Sequence, residues 1–307
     1  MKHLQLAFCA FLISAIATPW VHASEADQAR EIFKNHHKAV VTVELVVKQK
    51  FSMQGMPSQE NESKVEATGT VIGADGLTVM ALSTTDPTSI FRNMMAGSGR
   101  DGFQMDSQVS DVKILRHDNT EVPAQVILRD NNLDLAFVRP LEMPEEEFDY
   151  IDLNESGNPQ ILDNVVTLNR LGRVANRAHS ASFERVEAVV ERPRRFYIPG
   201  GEATTTATGS PAFALDGKPV GIFVIRSIRD TGGASNMFGG NQNVTAIILP
   251  ARDVLESKEQ APPWGEEPEA PAAEDEDDDA QDEAEEDDDE EDEADEEDEA
   301  DGDETEA

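Results

Sequence analysis

Residues 204–222 read TTTATGSPAFALDGKPVGI, and two other stretches, ATGTVIGADGLTVMALSTT at 67–85 and RDNNLDLAFVR at 129–139, are written in the same style. Each joins short apolar, β-branched runs to a turn built on Gly, Asp or Asn. In 204–222 the strands are Pro211–Ala214 and 220–225, separated by an Asp216-Gly217 turn. In 67–85 they are 68–72 and 77–82, joined as a hairpin through Ala74-Asp75-Gly76. In 129–139 the strand is 133–139.

Working outward, the same rhythm predicts strands at 39–47, 112–116, 122–128, 161–168, 180–190 and 244–248. A short helix is expected at 24–38. Ser24 can cap it, Glu25 and Asp27 fall in its first turn, and Ala29, Ile32 and Phe33 share a face. A brief second helix is expected at 251–257. The polar stretch 51–64 and the glycine-bearing stretch 87–110 read as loops, and an acidic linker at 141–149 separates two halves. Strand following strand with turns between them points to an all-β barrel or sandwich.

Charge and composition divide the chain further. Of its 62 acidic residues, 29 lie in 265–307, where there is no Lys or Arg. The rest holds 33 acidic and 25 basic residues. The first object is a mildly acidic globule and the second a polyanionic tail too poor in apolar residues to fold alone. No basic cluster points to nucleic acid or to an anionic membrane surface. Residues 1–23 read as a secretory signal peptide: Lys2 and His3, an apolar run, then Val21-His22-Ala23. That run is shorter than the ~20 residues of a membrane span. Cleavage after Ala23 removes Cys9, the one cysteine, so disulfides and thiol chemistry are excluded. The expected organisation is 1–23 signal peptide, 24–145 and 146–260 two halves of a globule of about 240 residues, and 261–307 a disordered acidic tail. The chain is expected to be exported, periplasmic or secreted.

The three stretches resemble the corners of the trypsin-like peptidase domain of the HtrA/Deg group of exported serine proteases. The resemblance spans about 25–257 and implies two six-stranded antiparallel β-barrels with a cleft between them. The PDZ domains that usually end such chains have no counterpart. In that group a T-G strand leads through a D-A-D-G turn to a strand ending in T-N-x-H-V. Ala67-Thr68-Gly69 and Asp75-Gly76 match, and the register puts Ser83 where the catalytic histidine stands. Asp134, in Asn132-Leu133-Asp134-Leu135-Ala136, matches the triad aspartate. Pro211 and Asp216-Gly217 fix the last corner against G-N-S-G-G-P-L. Thr208 then takes the nucleophile's place, Thr206 that of the first oxyanion-turn glycine, Gly209 is retained and Ser210 replaces the next glycine.

A serine at position 83 cannot take a proton from a nucleophile near pH 7 and return it. A β-branched Thr206 opposes the turn that aims two backbone N–H groups at an oxyanion. His36, His37, His117 and His179 lie far in sequence from these corners and read as surface or packing histidines. The expected function is therefore a pseudoprotease that binds a peptide or protein partner. Two alternatives stand beside it. One is an active serine-type endopeptidase using Thr208 or Ser210. The other is an acidic, cation-binding secreted protein acting through its tail, which could hold Ca²⁺ weakly or attract a basic protein. No other cofactor is expected, and an oligomer is compatible with the resemblance.

Overall fold

The computed structural model describes residues 24–53, 59–85, 103–200, 207–227 and 244–266, all within one compact unit, 1–269. The expected signal peptide, Thr206, residues 86–102 and the acidic segment beyond 266 lie outside the described residues.

Helix α1, Glu25–His36, begins as its sequence dictates: Ser24 Oγ accepts from Asp27 N at 3.2 Å, with Glu25 and Asp27 in the first turn. Ala29 and Ile32 form its buried side. Asn164 Nδ2 donates to Glu25 Oε2 at 2.8 Å, tying the helix start to the second half of the chain.

Twelve strands follow. β1 (Val40–Met53), β2 (Gln59–Val71), β3 (Thr78–Ala81), β4 (Phe103–Leu115), β5 (Glu121–Asp130) and β6 (Leu135–Pro140) close a barrel in the order β1-β2-β3-β6-β5-β4. β7 (Asn164–Arg170), β8 (His179–Val190), β9 (Phe196–Pro199), β10 (Pro211–Ala214), β11 (Pro219–Ser227) and β12 (Val244–Pro250) close a second. Its order, β7-β8-β9-β12-β11-β10, repeats that of the first. Neighbouring strands are antiparallel throughout. The two-barrel architecture implied by the resemblance is what the chain adopts, and the sandwich alternative falls.

Alternation along the strands divides the core, since successive side chains of a strand face opposite ways. Val166, Leu168, Phe213, Ile222 and Val224 of the second barrel join the buried cluster of β1, β3 and β6. Their sequence neighbours Val165, Ala212 and Phe223 pack with Val186, Val220 and Ile248 in a separate cluster.

Several boundaries differ from the sequence expectation. Residues 51–53 and 59–64 are strand, not loop: β1 and β2 stay paired out to Phe51 opposite Gln59. β4 begins at Phe103 inside the expected insertion and pairs with Met53. These ends are held by ladder hydrogen bonds, and residues 59–62 are exposed on both faces, so no apolar alternation marks them. β7 starts at Asn164 rather than 161. Ile161 and Leu162 are exposed in a turn, where Asp163 Oδ2 accepts from Gln160 N at 2.7 Å. β9 was not expected at all, because a four-residue strand in a proline- and arginine-rich run gives no period to read.

After β12, helix α2 (Ala251–Lys258) leads into a strap that returns to the first barrel. Arg139 Nη1 donates to Pro262 O at 2.7 Å, the Arg139 guanidinium lies over the Trp264 ring at 5.3 Å, and Trp264 Nε1 donates to Asp75 Oδ2 at 3.2 Å.

Candidate functional site

β3 ends in a 3₁₀ turn, Leu82–Thr84, while β6 begins immediately after Asp134. Ala81 pairs with Leu135 and Leu82 N donates to Asp134 O at 2.9 Å, so the ladder itself sets Ser83 beside Asp134. Asp134 sits at φ 57°, a left-handed conformation that aspartate tolerates better than most residues. Its carboxylate accepts three hydrogen bonds: Ser83 N to Oδ1 at 2.6 Å, Ser83 Oγ to Oδ2 at 3.0 Å and Ile225 N to Oδ2 at 2.9 Å. The last crosses from β11 of the second barrel. Burial pushes the Asp134 carboxyl up to about 6, while the bonds from Ile225 and Ser83 pull the other way.

The loop that presents Asp134 is itself secured. Asp130 Oδ1 accepts from Asn132 N and Leu133 N, each at 3.0 Å, and its Oδ2 accepts from Ser257 Oγ of α2 at 2.8 Å. Sequence reading did not single out Asp130. The Asp-Asn-Asn run ahead of Leu133, a signature of side chain-to-backbone turns, is the signal that could have found it.

On the second barrel the turn 207–210 feeds β10. Gly209 N donates to Phe223 O at 2.8 Å, Ser210 N to Ala207 O at 3.0 Å, and Phe223 N to Ser210 O at 2.9 Å. Gly209 stands at φ 83°, and a Cβ there would be driven into the Thr68 carbonyl oxygen. Only glycine fits both the angle and the approach. Thr70 Oγ1 donates to Gly209 O at 2.7 Å, so the turn is wedged against β2 of the first barrel. Thr208 is 8 % exposed and Ser210 is 0 % exposed. Ser210 Oγ has no hydrogen-bond partner among the described residues.

These contacts limit the chemistry. Asp134, which in a working triad orients an imidazole, is occupied by Ser83 and by β11. Among the described residues no imidazole is hydrogen-bonded to Asp134, Ser83 or Ser210. His36 instead stacks on Phe213 at 4.8 Å, and His37 on Phe33 at 4.9 Å. An oxyanion site in the register of Ser210 would need Ser210 N, which is already bonded to Ala207 O. No group of three or more His, Cys, Asp or Glu side chains suited to a metal ion exists among the described residues.

Residues 67–222, just over half of the chain, match the family model of the trypsin-like peptidase domain. The chain belongs to the trypsin-like peptidase family. The matched span contains Ser83, Asp134 and Thr208. Among solved structures, the chain is similar to the MamO protease domain from Magnetospirillum magneticum in its apo form. That likeness has a TM-score of 0.44 and 15% identity, over 73% of this chain and 97% of the other. It is also similar to Deg5, with a TM-score of 0.48 and 14% identity, over 76% of this chain and 94% of the other. No curated protein matches the chain.

In this member of the trypsin-like peptidase family one further feature beside Asp134 leaves no mark in the sequence. β10 pairs with β11 only as far as Ile222. Phe223 turns its N–H and C=O toward the 207–210 turn, and Ile225 N points the same way, to Asp134. With a period of two, the Ile225 carbonyl and the Ser227 main chain face that side as well, beyond the end of β10. Among the described residues no strand pairs with this side of β11 beyond the 207–210 turn, so a short edge runs on from Asp134.

Proposed function

We propose that this chain is an exported pseudoprotease that binds an extended peptide or protein segment along the open edge of β11 and does not cut it. One observation carries the reading: Ser83, which the sequence register lays on the place of the base, donates both N–H and Oγ–H to Asp134. Loss of a triad member costs on the order of 10⁴-fold or more in turnover. The edge supports binding, since strand addition draws affinity from main-chain hydrogen bonds and needs no catalytic group.

Ser227→Pro removes one edge N–H while sparing the Ile225–Asp134 bond, and proline is tolerated at a strand edge. The test is binding of an unfolded, fluorescently labelled protein to wild type and to this variant, with the label followed for fragmentation. Intact label, bound by wild type and at least tenfold more weakly by the variant, is the expected result. Equal binding by both would remove the edge from the account, and fragments from wild type would remove the pseudoprotease.

A further inference from the structure

Between the end of β7 and the β4–β5 turn lies a cluster that the proposed peptide binding leaves unused. Arg170 ends β7, is buried, and crosses to the β4–β5 turn of the first barrel. Its Nη1 donates to Leu115 O at 2.6 Å and Arg116 O at 2.7 Å, its Nη2 to Asn119 Oδ1 at 2.7 Å, and its Nε to Arg177 O at 3.3 Å. Every one of these acceptors is neutral. Directly opposite Arg170 in the β7–β8 ladder stands His179.

The His179 ring meets His37 edge-on, with centroids 5.2 Å apart and planes at 80°. His37 caps the C-terminus of α1, where its Nδ1 lies 2.9 Å from Phe33 O. Both ring nitrogens of His179 are buried, and neither has a hydrogen-bond partner among the described residues. The His117 backbone, an acceptor for the protonated ring, favours its charged form and counts least among the influences on it.

We propose that His179 is an acid-sensitive clasp: its protonation sets a second cation opposite Arg170 and against His37, and so loosens α1 and the β7–β8 hairpin from the junction of the barrels. Like charges directly opposite in a ladder are destabilising. Apart from the His117 backbone, the surroundings offer little relief. β7 contributes Arg170, the end of α1 His36 and His37, the β4–β5 turn Arg116, His117 and Asp118, and the hairpin Arg173 and Arg177. Of the carboxylates nearby, Glu44 on β1 is paired with Arg173, Glu66 on β2 with Arg173 and Arg177, and Asp118 accepts from the backbone of Thr120. Burial first, then the charges of Arg170, His37 and His117, hold the His179 imidazole down at about 4.

The native ring thus binds its proton less readily than the unfolded chain. Its contribution is complete above the ordinary histidine range and is lost as pH falls from about 6.5 toward 4. The clasp does not depend on the peptide-binding reading.

Hydrogen exchange on the chain from Ser24 onward, at pH 7.5 and 4.5 and corrected for intrinsic rates, tests it. In wild type the protection of 25–36 and 170–179 should fall at least tenfold relative to 40–47, and in His179→Phe and His179→Gln it should hold. An unchanged ratio in wild type, or the same fall in a folded variant, overturns the clasp. Should neither variant fold, an NMR titration placing the wild-type His179 ring at or above 6.5 overturns it, and one placing it below 5 upholds it.

Discussion

Asp134 is a carboxylate accepting two main-chain N–H bonds and one hydroxyl across two barrels, with no cation as partner among the described residues. Its native pKa of about 6 lies above the unfolded value of 3.8, so the native state holds the proton more tightly. Stability from this group is complete below about 3.8 and is lost as pH rises through 6. Relative to Asp134→Asn, wild type should therefore gain about 2 kcal/mol between pH 7 and pH 4, read from urea unfolding of both proteins. At Gly209, alanine must accept a left-handed backbone and a collision with Thr68, and should cost about 3 kcal/mol or more. Ser210→Ala removes a buried hydroxyl with no hydrogen-bond partner among the described residues, so its thermal midpoint should stay level or rise slightly. The pairing of Ser83 with Asp134 could be anticipated because flanking residues, Asp75-Gly76 and Leu135-Ala136, fix two registers. The third bond, from Ile225 N, could not, since a main-chain donor leaves no mark in the identity of its side chain.

Among the elements, α2 does more than end the second barrel, because Ser257 fixes the Asp130 turn from which Asp134 projects. Ser257→Ala should cost about 1–3 kcal/mol and speed hydrogen exchange in 130–134, while leaving 40–47 unchanged. The strand pattern was readable wherever one face is buried: β3, β6 and β11 carry apolar, β-branched runs that match their places in the core. It failed where burial does not set the pattern. The outer ends of β1, β2 and β4 are polar yet paired, the Ile161-Leu162 turn is apolar yet exposed, and β9 is too short to show a period.

At the scale of the molecule, two barrels share one strand order without a sequence repeat, because barrel closure constrains alternation and turns and leaves identities free. The strap through Trp264 ties the end of the described chain to Arg139 and Asp75, which sets an expectation for truncation. A chain ending at Glu266 should melt within about 2 °C of the full chain. One ending at Ala261 strips a buried guanidinium of Pro262 O and Trp264 and should melt about 4–8 °C lower, from a loss of about 2 kcal/mol. Absence of catalysis is the central claim. Its most direct test exposes the chain from Ser24 onward, with Thr208→Ala and Ser210→Ala beside it, to a serine-reactive fluorophosphonate and an unfolded protein substrate. The expected result is an unlabelled protein and an intact substrate in all three; labelling or cleavage by wild type that either substitution abolishes would show a working nucleophile and contradict it.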